Sequence, residues 1–220
     1  MNATTALRKS SKGEETRAQI LDVALNVASE SGFDALTIGS LADLTGLSKS
    51  GLFAHFGSKE ELQIAVLDEG ARRVAQSVFL EALKAPRGVA RLRALLGNWL
   101  GWAEGCNLKG GCPIMAAAFE FDDRPGPVRD AVLKQHQRMQ AEMARSVQMC
   151  VETGEFRPDT DAKQFAFEIL GIANAFYFSH RLFREKDATQ RAFTAFERLV
   201  NDSLVNPASP NATPPARRVG

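Results

Sequence analysis

The sequence has few of the residues that most often build a chemical site. Its 220 residues include three cysteines, three histidines and one tyrosine. An odd, small number of cysteines does not fit a disulfide framework, and no histidine is paired with a cysteine at zinc-like spacing. A nucleophile elbow, a phosphate-binding loop and a dinucleotide fingerprint are also absent. We therefore expect no enzymatic activity, no metal and no cofactor.

Long hydrophobic runs are absent as well. No apolar stretch approaches the roughly 20 residues that a helix needs to cross a bilayer. Residues 1–12 are polar and lack the apolar stretch and cleavage site of a secretory signal. These features predict a cytoplasmic protein with no membrane partner. The net charge of +1 does not decide whether nucleic acid is bound, because a local patch rather than the total charge forms a nucleic-acid surface.

Glycine and proline divide the chain into segments whose apolar residues recur at helical spacing. No segment shows the sustained alternation of apolar and polar residues that is typical of a half-buried strand. Proline recurs beyond Asn206, where a packed core is not expected. The pattern predicts an all-α fold of about nine helices followed by a disordered tail.

Between Thr37 and Phe56 the segments become short enough for two small crossed helices. Thr37 and Ser48 are each placed to cap a helix, and Gly46 suits the left-handed residue of a tight turn between them. The inward-facing residues are expected to be Leu41, Ala42 and Leu44 in the first helix and Leu52 and Phe56 in the second. Ser58 then opens a longer helix as a Ser-x-x-Glu capping box. This spacing predicts a helix-turn-helix.

These stretches resemble the N-terminal signature of TetR/AcrR-family regulators, over roughly residues 14–65. The resemblance rests on Thr37-Ile38-Gly39-Ser40-Leu41-Ala42, Gly46-Leu47-Ser48-Lys49-Ser50-Gly51-Leu52-Phe53-Ala54-His55-Phe56 and Ser58-Lys59-Glu60-Glu61-Leu62. A second stretch, Glu120-Phe121-Asp122-Asp123-Arg124-Pro125-Gly126-Pro127, is similar to one subgroup of the family's C-terminal domains. The family implies an N-terminal three-helix DNA-binding domain and a C-terminal helical domain for ligand binding and dimerisation.

The resemblance also implies four regions along the chain. They are a flexible basic arm at residues 1–12, a DNA-binding domain at 13–60, a ligand-binding and dimerisation domain at 61–205, and the disordered tail at 206–220. The arm contains Arg8, Lys9 and Lys12. Arms of this kind can follow phosphates or enter a minor groove.

The DNA contact surface implied by the family is formed by the second short helix and the ends of its neighbours. Its residues are Thr37, Ser48, Lys49, Ser50, Gly51, Phe53, His55 and Lys59. Lys49, Ser50 and Gly51 are expected in or near the major groove, and Lys59 near a phosphate. Two residues depart from the family pattern. Phe53 replaces a usual tyrosine, which removes a phenolic hydrogen bond to phosphate, and Gly51 offers no side chain for base reading.

Aromatic and polar residues of the C-terminal half could line a small-molecule pocket, although a helical core contains the same residue types. The candidates are Trp99, Trp102, Met115, Phe119, Phe176, Tyr177 and His180. Cys106 and Cys112 flank a glycine-containing loop, so a thiol sensor of oxidants or electrophiles is an alternative. The same cysteines could instead be small buried apolar residues.

The last two helices carry more apolar residues than one core face needs. A second subunit could cover the excess through a four-helix interface. The expected interface residues are Phe167, Leu170, Ala173, Phe193, Phe196, Leu199 and Val200. The other reading is that these helices only close the core of a monomer.

Taken together, the sequence predicts a homodimeric regulator that binds an operator in double-stranded DNA. A repressor released by an unknown small-molecule effector is expected, since most relatives implied by the resemblance are repressors, although activators exist among them. Two further alternatives are an enzyme built on the C-terminal helices and a ligand-binding protein whose N-terminal domain recruits a protein partner.

Overall fold

The computed structural model describes residues 12–206, which form nine α-helices. They are α1 (Lys12–Ser31), α2 (Ile38–Thr45), α3 (Lys49–Phe56), α4 (Lys59–Val74), α5 (Val89–Gly105), α6 (Pro113–Glu120), α7 (Pro127–Glu152), α8 (Ala162–Tyr177) and α9 (Ala188–Ser203). These residues include no β-strand, only an isolated antiparallel bridge between Phe156 and Leu204. None of the nine helices is both long enough and apolar enough to span a bilayer. The predicted all-α class and number of helices are confirmed.

Two of the helices continue into π-helical segments. Ala75–Leu80 follows α4, and Phe178–Leu182 follows α8. The apolar spacing of the sequence predicts continuous α-helices through both regions, because one wider turn changes the spacing too little to be recognised.

The contacts divide the described chain into two compact units. The first unit combines residues 12–75 with Trp102–Gln135, and the second combines Gln76–Gly101 with residues 136–206. The sequence predicts contiguous domains that meet at residue 60, whereas α4 and α6 pack with α1 in the first unit. Residues 1–11 of the predicted arm and 207–220 of the predicted tail lie outside the described residues.

Local signals explain the helical corner of the first unit. The Thr37 hydroxyl accepts from the Ser40 N–H at 3.0 Å, and the Ser40 hydroxyl accepts from the Thr37 N–H at 3.2 Å, which completes a reciprocal capping box for α2. Gly46 ends α2 in the left-handed conformation, with φ of 70°. Both helix limits therefore agree with the prediction.

The predicted burial of Leu44 is wrong. Leu41 and Ala42 are buried, whereas the side chain of Leu44 is 60% exposed. Successive helical residues are separated by about 100°, so Leu44 lies roughly 110° from the direction midway between the two buried residues. A helix of two turns buries a narrow face, and Leu44 falls outside it.

The second unit is centred on packing between α8 and α9. The ring of Phe165 in α8 lies 5.4 Å from that of Phe156 and 6.4 Å from that of Phe196 in α9, the latter pair edge to face. All three side chains are buried. At the surface, both ends of the Arg93 guanidinium bind the carboxylate of Glu197, with N to O distances of 2.8 and 2.7 Å. These contacts fix α9 to α8 and α5.

Candidate functional site

Helix α3 is anchored by two apolar residues and presents its other residues at the surface. The predicted inward pair, Leu52 and Phe56, is buried. The remaining candidates on this helix lie at the surface: Lys49, Ser50 and Phe53 are exposed, and Gly51 and His55 are half-buried. The exposed face therefore carries one cation, one small hydroxyl and one aromatic ring, which are side chains that can contact phosphate, sugar and base edges.

The cap of α3 supplies a structural reason for Gly51. The Ser48 hydroxyl accepts from the Gly51 N–H at 3.1 Å. A Cβ atom at position 51 would lie 3.1 Å from the same hydroxyl, which is tighter than an ordinary contact. Glycine at position 51 therefore allows the Ser48 hydroxyl to accept this hydrogen bond without being pushed away by a Cβ atom. The absence of a side chain at Gly51 also permits another molecule to approach the backbone of α3 closely.

The first turns of α2 and α3 lie beside each other. A Cβ atom added to Gly39 would be 3.8 Å from Lys49 Cε and 3.9 Å from the Thr37 hydroxyl. The aliphatic stem of Lys49 thus lies along the start of α2, and its charged end extends from an exposed side chain. Two of the predicted DNA contacts, Thr37 and Lys49, consequently flank one small surface residue.

The capping box predicted at the start of α4 forms only in part. The Glu61 N–H donates to the Ser58 hydroxyl at 3.1 Å. The Ser58 N–H donates to the Phe56 carbonyl at 2.7 Å, so it is not available to the Glu61 carboxylate. That carboxylate instead lies beside Gly57. The helix start is as predicted, and the reciprocal side-chain bond is not.

Lys59 lies at this helix start and has a partner that sequence reasoning missed. Its Nζ atom donates to the Asp34 carbonyl at 3.0 Å and lies 3.5 Å from Asp34 Oδ1. The Arg124 guanidinium contacts the other oxygen of the same carboxylate at 2.5 Å. The charged stretch that begins at Glu120 is the sequence signal for this cluster, but its spatial partners are 86 to 90 residues away.

The predicted dimer residues separate into a buried and a surface set. Ala173, Phe196 and Val200 are buried within the second unit, so they present little surface to a partner. Phe167 is 66% exposed, and Leu170, Phe193 and Leu199 are half-buried. An open groove of about 670 Å³ runs between α8 and α9. Its lining includes Phe167, Gly171, Ala175, Ala195 and Leu199.

The predicted pocket residues are distributed over both units. In the first unit Trp102 and Met115 are buried and Phe119 is 55% exposed. In the second unit Trp99 is buried, and Phe176, Tyr177 and His180 are half-buried. The Phe176 ring stacks on His180 with centroids 5.1 Å apart and also lines the groove between α8 and α9. The pocket stays a prediction.

Cys112 is part of the framework of α6. Its Sγ atom caps this helix by accepting from the Met115 N–H at 3.4 Å. Burial raises the pKa of the Cys112 thiol to about 11, so the protonated form dominates at neutral pH. Oxidant sensing requires an accessible thiolate. The Cys112 thiol is both buried and protonated, so it does not meet this requirement. Cys106 is half-buried. Among residues 12–206, no cluster of three or more histidine, cysteine or acidic side chains could hold a metal ion.

Two family models match the chain. Residues 20–66 match the model described as "Bacterial regulatory proteins, tetR family", and residues 88–196 match "Tetracyclin repressor-like, C-terminal domain". The transcriptional repressor AcnR of Corynebacterium efficiens is 37% identical over 67 residues, which are 30% of this chain and 36% of AcnR. The chain therefore spans about a third of the length of this relative.

Solved structures match over nearly the whole chain. A TetR transcriptional regulator from Chloroflexus aurantiacus is 28% identical with a TM-score of 0.79, covering 88% of this chain and 98% of its own. AibR, solved in complex with isovaleryl coenzyme A and operator DNA, is 20% identical with a TM-score of 0.63, covering 82% and 98%; at this identity the likeness concerns the fold alone. AcnR and the Chloroflexus aurantiacus protein are both named as transcriptional regulators. With the helix-turn-helix in place and both family models matched, the chain belongs to the TetR family of DNA-binding transcriptional regulators.

Proposed function

We propose that the protein is a cytoplasmic homodimeric repressor that binds an inverted-repeat operator and is released from it by a small molecule. The observation that carries the proposal is the exposed face of α3, where Lys49, Ser50 and Phe53 lie beside the cap of the helix. In a two-fold dimer, two such helices about 34 to 36 Å apart would enter successive major grooves. The name of AcnR, a repressor, supports the direction of regulation.

The individual contacts follow from the chemistry of each residue. Lys49 and Ser50 can bond to base edges or the adjacent phosphates, and the Phe53 ring can contact sugar or a thymine methyl group. The absence of a Cβ at Gly51 permits the backbone to approach the groove closely. Thr37, His55 and Lys59 are proposed to contact phosphates, with Ser48 holding the helix in position. These assignments combine phosphate contacts that orient α3 with a small number of base contacts.

The proposal predicts that the protein selects an inverted repeat from random DNA and that Lys49→Ala weakens binding to this site at least about fivefold. One good base-edge contact is worth about 5- to 150-fold in affinity. The measurement is a fluorescence titration of the selected site and a scrambled site. Lys84→Ala is the matched control, because Lys84 is an exposed lysine of the second unit paired with Glu81 at 2.7 Å.

Lys84→Ala is expected to keep the affinity of the unchanged protein. Salt-dependent binding without sequence preference would reject the assignment of α3 as a reading helix. Equal affinity of the Lys49→Ala variant and the unchanged protein would reject the contact assigned to Lys49.

A second copy of the chain is the proposed occupant of the groove between α8 and α9. Phe167 is largely exposed there, and small residues such as Gly171 and Ala175 allow close approach of a partner helix. The charges lining the groove have both signs, with Glu168 and Asp202 opposite in sign to Arg191 and Arg198. Charges of both signs allow this patch to pair with its own copy across a two-fold axis.

Effector release follows from linkage. A ligand can bind better to a form of the dimer whose two DNA-binding domains are wrongly spaced for the operator. Such a ligand must lower the affinity of the protein for the operator. AibR, solved in complex with isovaleryl coenzyme A and operator DNA, supports the ability of this fold to bind a small molecule as well as DNA. Release of labelled operator by a library of small metabolites is the test, and a ligand found in this way must bind more weakly when operator is bound.

A further inference from the structure

The corner between α1 and α2 is held by side chains of two later helices. The N–H groups of Phe33 and Asp34 donate to the Glu120 carboxylate at the end of α6, at 2.8 and 2.7 Å. Their carbonyls accept from side chains of α4: Phe33 from Gln63 at 2.8 Å and Asp34 from Lys59 at 3.0 Å. The backbone N–H and carbonyl groups of Phe33 and Asp34 are thus all bonded to side chains of α4 or α6, and the Phe33 carbonyl also accepts from the Leu36 N–H at 3.1 Å.

The carboxylate of Asp34 lies between two cations. Arg124 Nη1 is 2.5 Å from Oδ2, and Lys59 Nζ is 3.5 Å from Oδ1. The Arg124 guanidinium holds the pKa of Asp34 below its ordinary value, with a smaller contribution from Lys59. The carboxylate is consequently ionised at neutral pH. It makes a short bond to Arg124 and a longer, weaker contact to Lys59.

Lys59 thus has two possible anionic partners when DNA is present. A phosphate near the start of α4 would attract the ammonium group, and Asp34 would hold it back. The three side chains are between 44% and 57% exposed, so the ion pair between Lys59 and Asp34 is weak enough for another anion to replace Asp34. The positive charge of Arg124 partly neutralises the Asp34 carboxylate and so weakens its attraction for Lys59. The contact between Lys59 and a phosphate is favoured as a result.

We propose that Arg124 and Asp34 are positioning residues for DNA binding: by pairing with Asp34, Arg124 in the loop after α6 weakens the attraction of this carboxylate for Lys59, so that Lys59 can exchange it for an operator phosphate. The proposal rests on the phosphate contact assigned to Lys59 above. Without Arg124, Asp34 retains Lys59 and the protein binds its operator less tightly. The affinity for DNA therefore depends on a residue that itself does not contact DNA.

The test is a double-mutant cycle, with operator affinity measured across a series of salt concentrations. Arg124→Ala is expected to weaken binding about two- to fivefold, the range typical of exposed ion pairs. It should also lower the slope of log affinity against log salt by up to about one, and Lys59→Ala is expected to do the same, because one phosphate contact is lost in each case. In a background carrying Asp34→Asn, the same Arg124→Ala change is expected to have no effect on affinity or slope. Arg124→Lys should retain most of the affinity.

The controls separate positioning from folding and from direct contact. The thermal midpoints of all variants are expected to agree within about 2 °C, because the altered side chains are exposed. An equal loss from Arg124→Ala with and without Asp34→Asn would overturn the proposal and indicate that Arg124 contacts phosphate itself. Unchanged binding by Lys59→Ala, with the Lys49-dependent site intact, would overturn it while the proposed function stands. Absence of any selected site would overturn both.

Discussion

Replacing Gly171 by arginine is expected to convert a dimer into a monomer and to weaken operator binding at least a hundredfold. Gly171 lines the groove between α8 and α9, and a Cβ atom added to it would meet nothing within 4 Å. The larger side chain therefore fits the isolated chain, and a helix interior favours arginine over glycine. Only a partner subunit in the groove would be displaced.

The size of the effect on DNA follows from bivalency. A dimer that binds two half-sites has an affinity about 10²- to 10⁴-fold higher than that of a single DNA-binding domain. Light scattering or sedimentation measures the mass, and titration with the inverted repeat measures the affinity. The same experiment on a single half-site is expected to give nearly equal affinities for the variant and the unchanged protein.

Gly101→Arg is the matched control for Gly171→Arg. Gly101 is also an exposed helical glycine of the second unit with nothing within 4 Å of an added Cβ. It does not line the groove between α8 and α9. The control should stay dimeric. A dimeric Gly171→Arg variant with full affinity would place the subunit interface elsewhere, and monomers from both variants would point to a general loss of structure.

Gly110→Ala is expected to lower the free energy of unfolding by about 1 to 3 kcal/mol, the usual cost of overpacking a close contact. Gly110 is buried where the loop before α6 meets α1, and its N–H donates to the Ser29 hydroxyl at 3.1 Å. A Cβ atom there would lie 1.7 Å from the Ser29 carbonyl oxygen. Since that atom belongs to the backbone of α1, no side-chain rotation relieves the clash, and the loop must move away.

Gly105→Ala, five residues earlier, is the matched control. An added Cβ at this exposed position meets nothing within 4 Å, so the change should be neutral or slightly stabilising. Urea unfolding gives both free energies. If Gly110→Ala were as stable as the control, the loop would separate from α1 without cost. In that case the bonds from Gly110 and from Lys109, whose N–H donates to Asn26 at 3.2 Å, would contribute little.

The helix-turn-helix was predictable because its signals are local. A cap is formed within three residues of the helix that it begins, and a left-handed turn needs a glycine at one position. Thr37, Gly46 and Ser48 therefore define α2 and α3 to within one residue. The missed details in the same region, the exposure of Leu44 and the incomplete box at Ser58, depend on packing and on which backbone acceptor is nearest.

The division of apolar residues between the core and a partner surface was not predictable in detail. Ala173, Phe196 and Val200 have the same apolar character as Phe167 and Leu199, yet the first three are buried within the chain itself. Periodicity identifies an apolar helix, and it does not tell which stripe faces its own core. That choice depends on the angle at which α8 and α9 pack.

The sequence by itself determined the helical class, the limits of α2 and α3 to within one residue, and the residues that α3 presents, since each of these depends on neighbours within a few positions. Tertiary structure alone decided that α6 and the loop before it pack against α1, and that Asp34, Lys59 and Arg124 share one cluster. Residues 86 to 90 positions apart carry no local signal of their contact. The packing of the buried apolar faces of the helices brings these charged residues together at the surface.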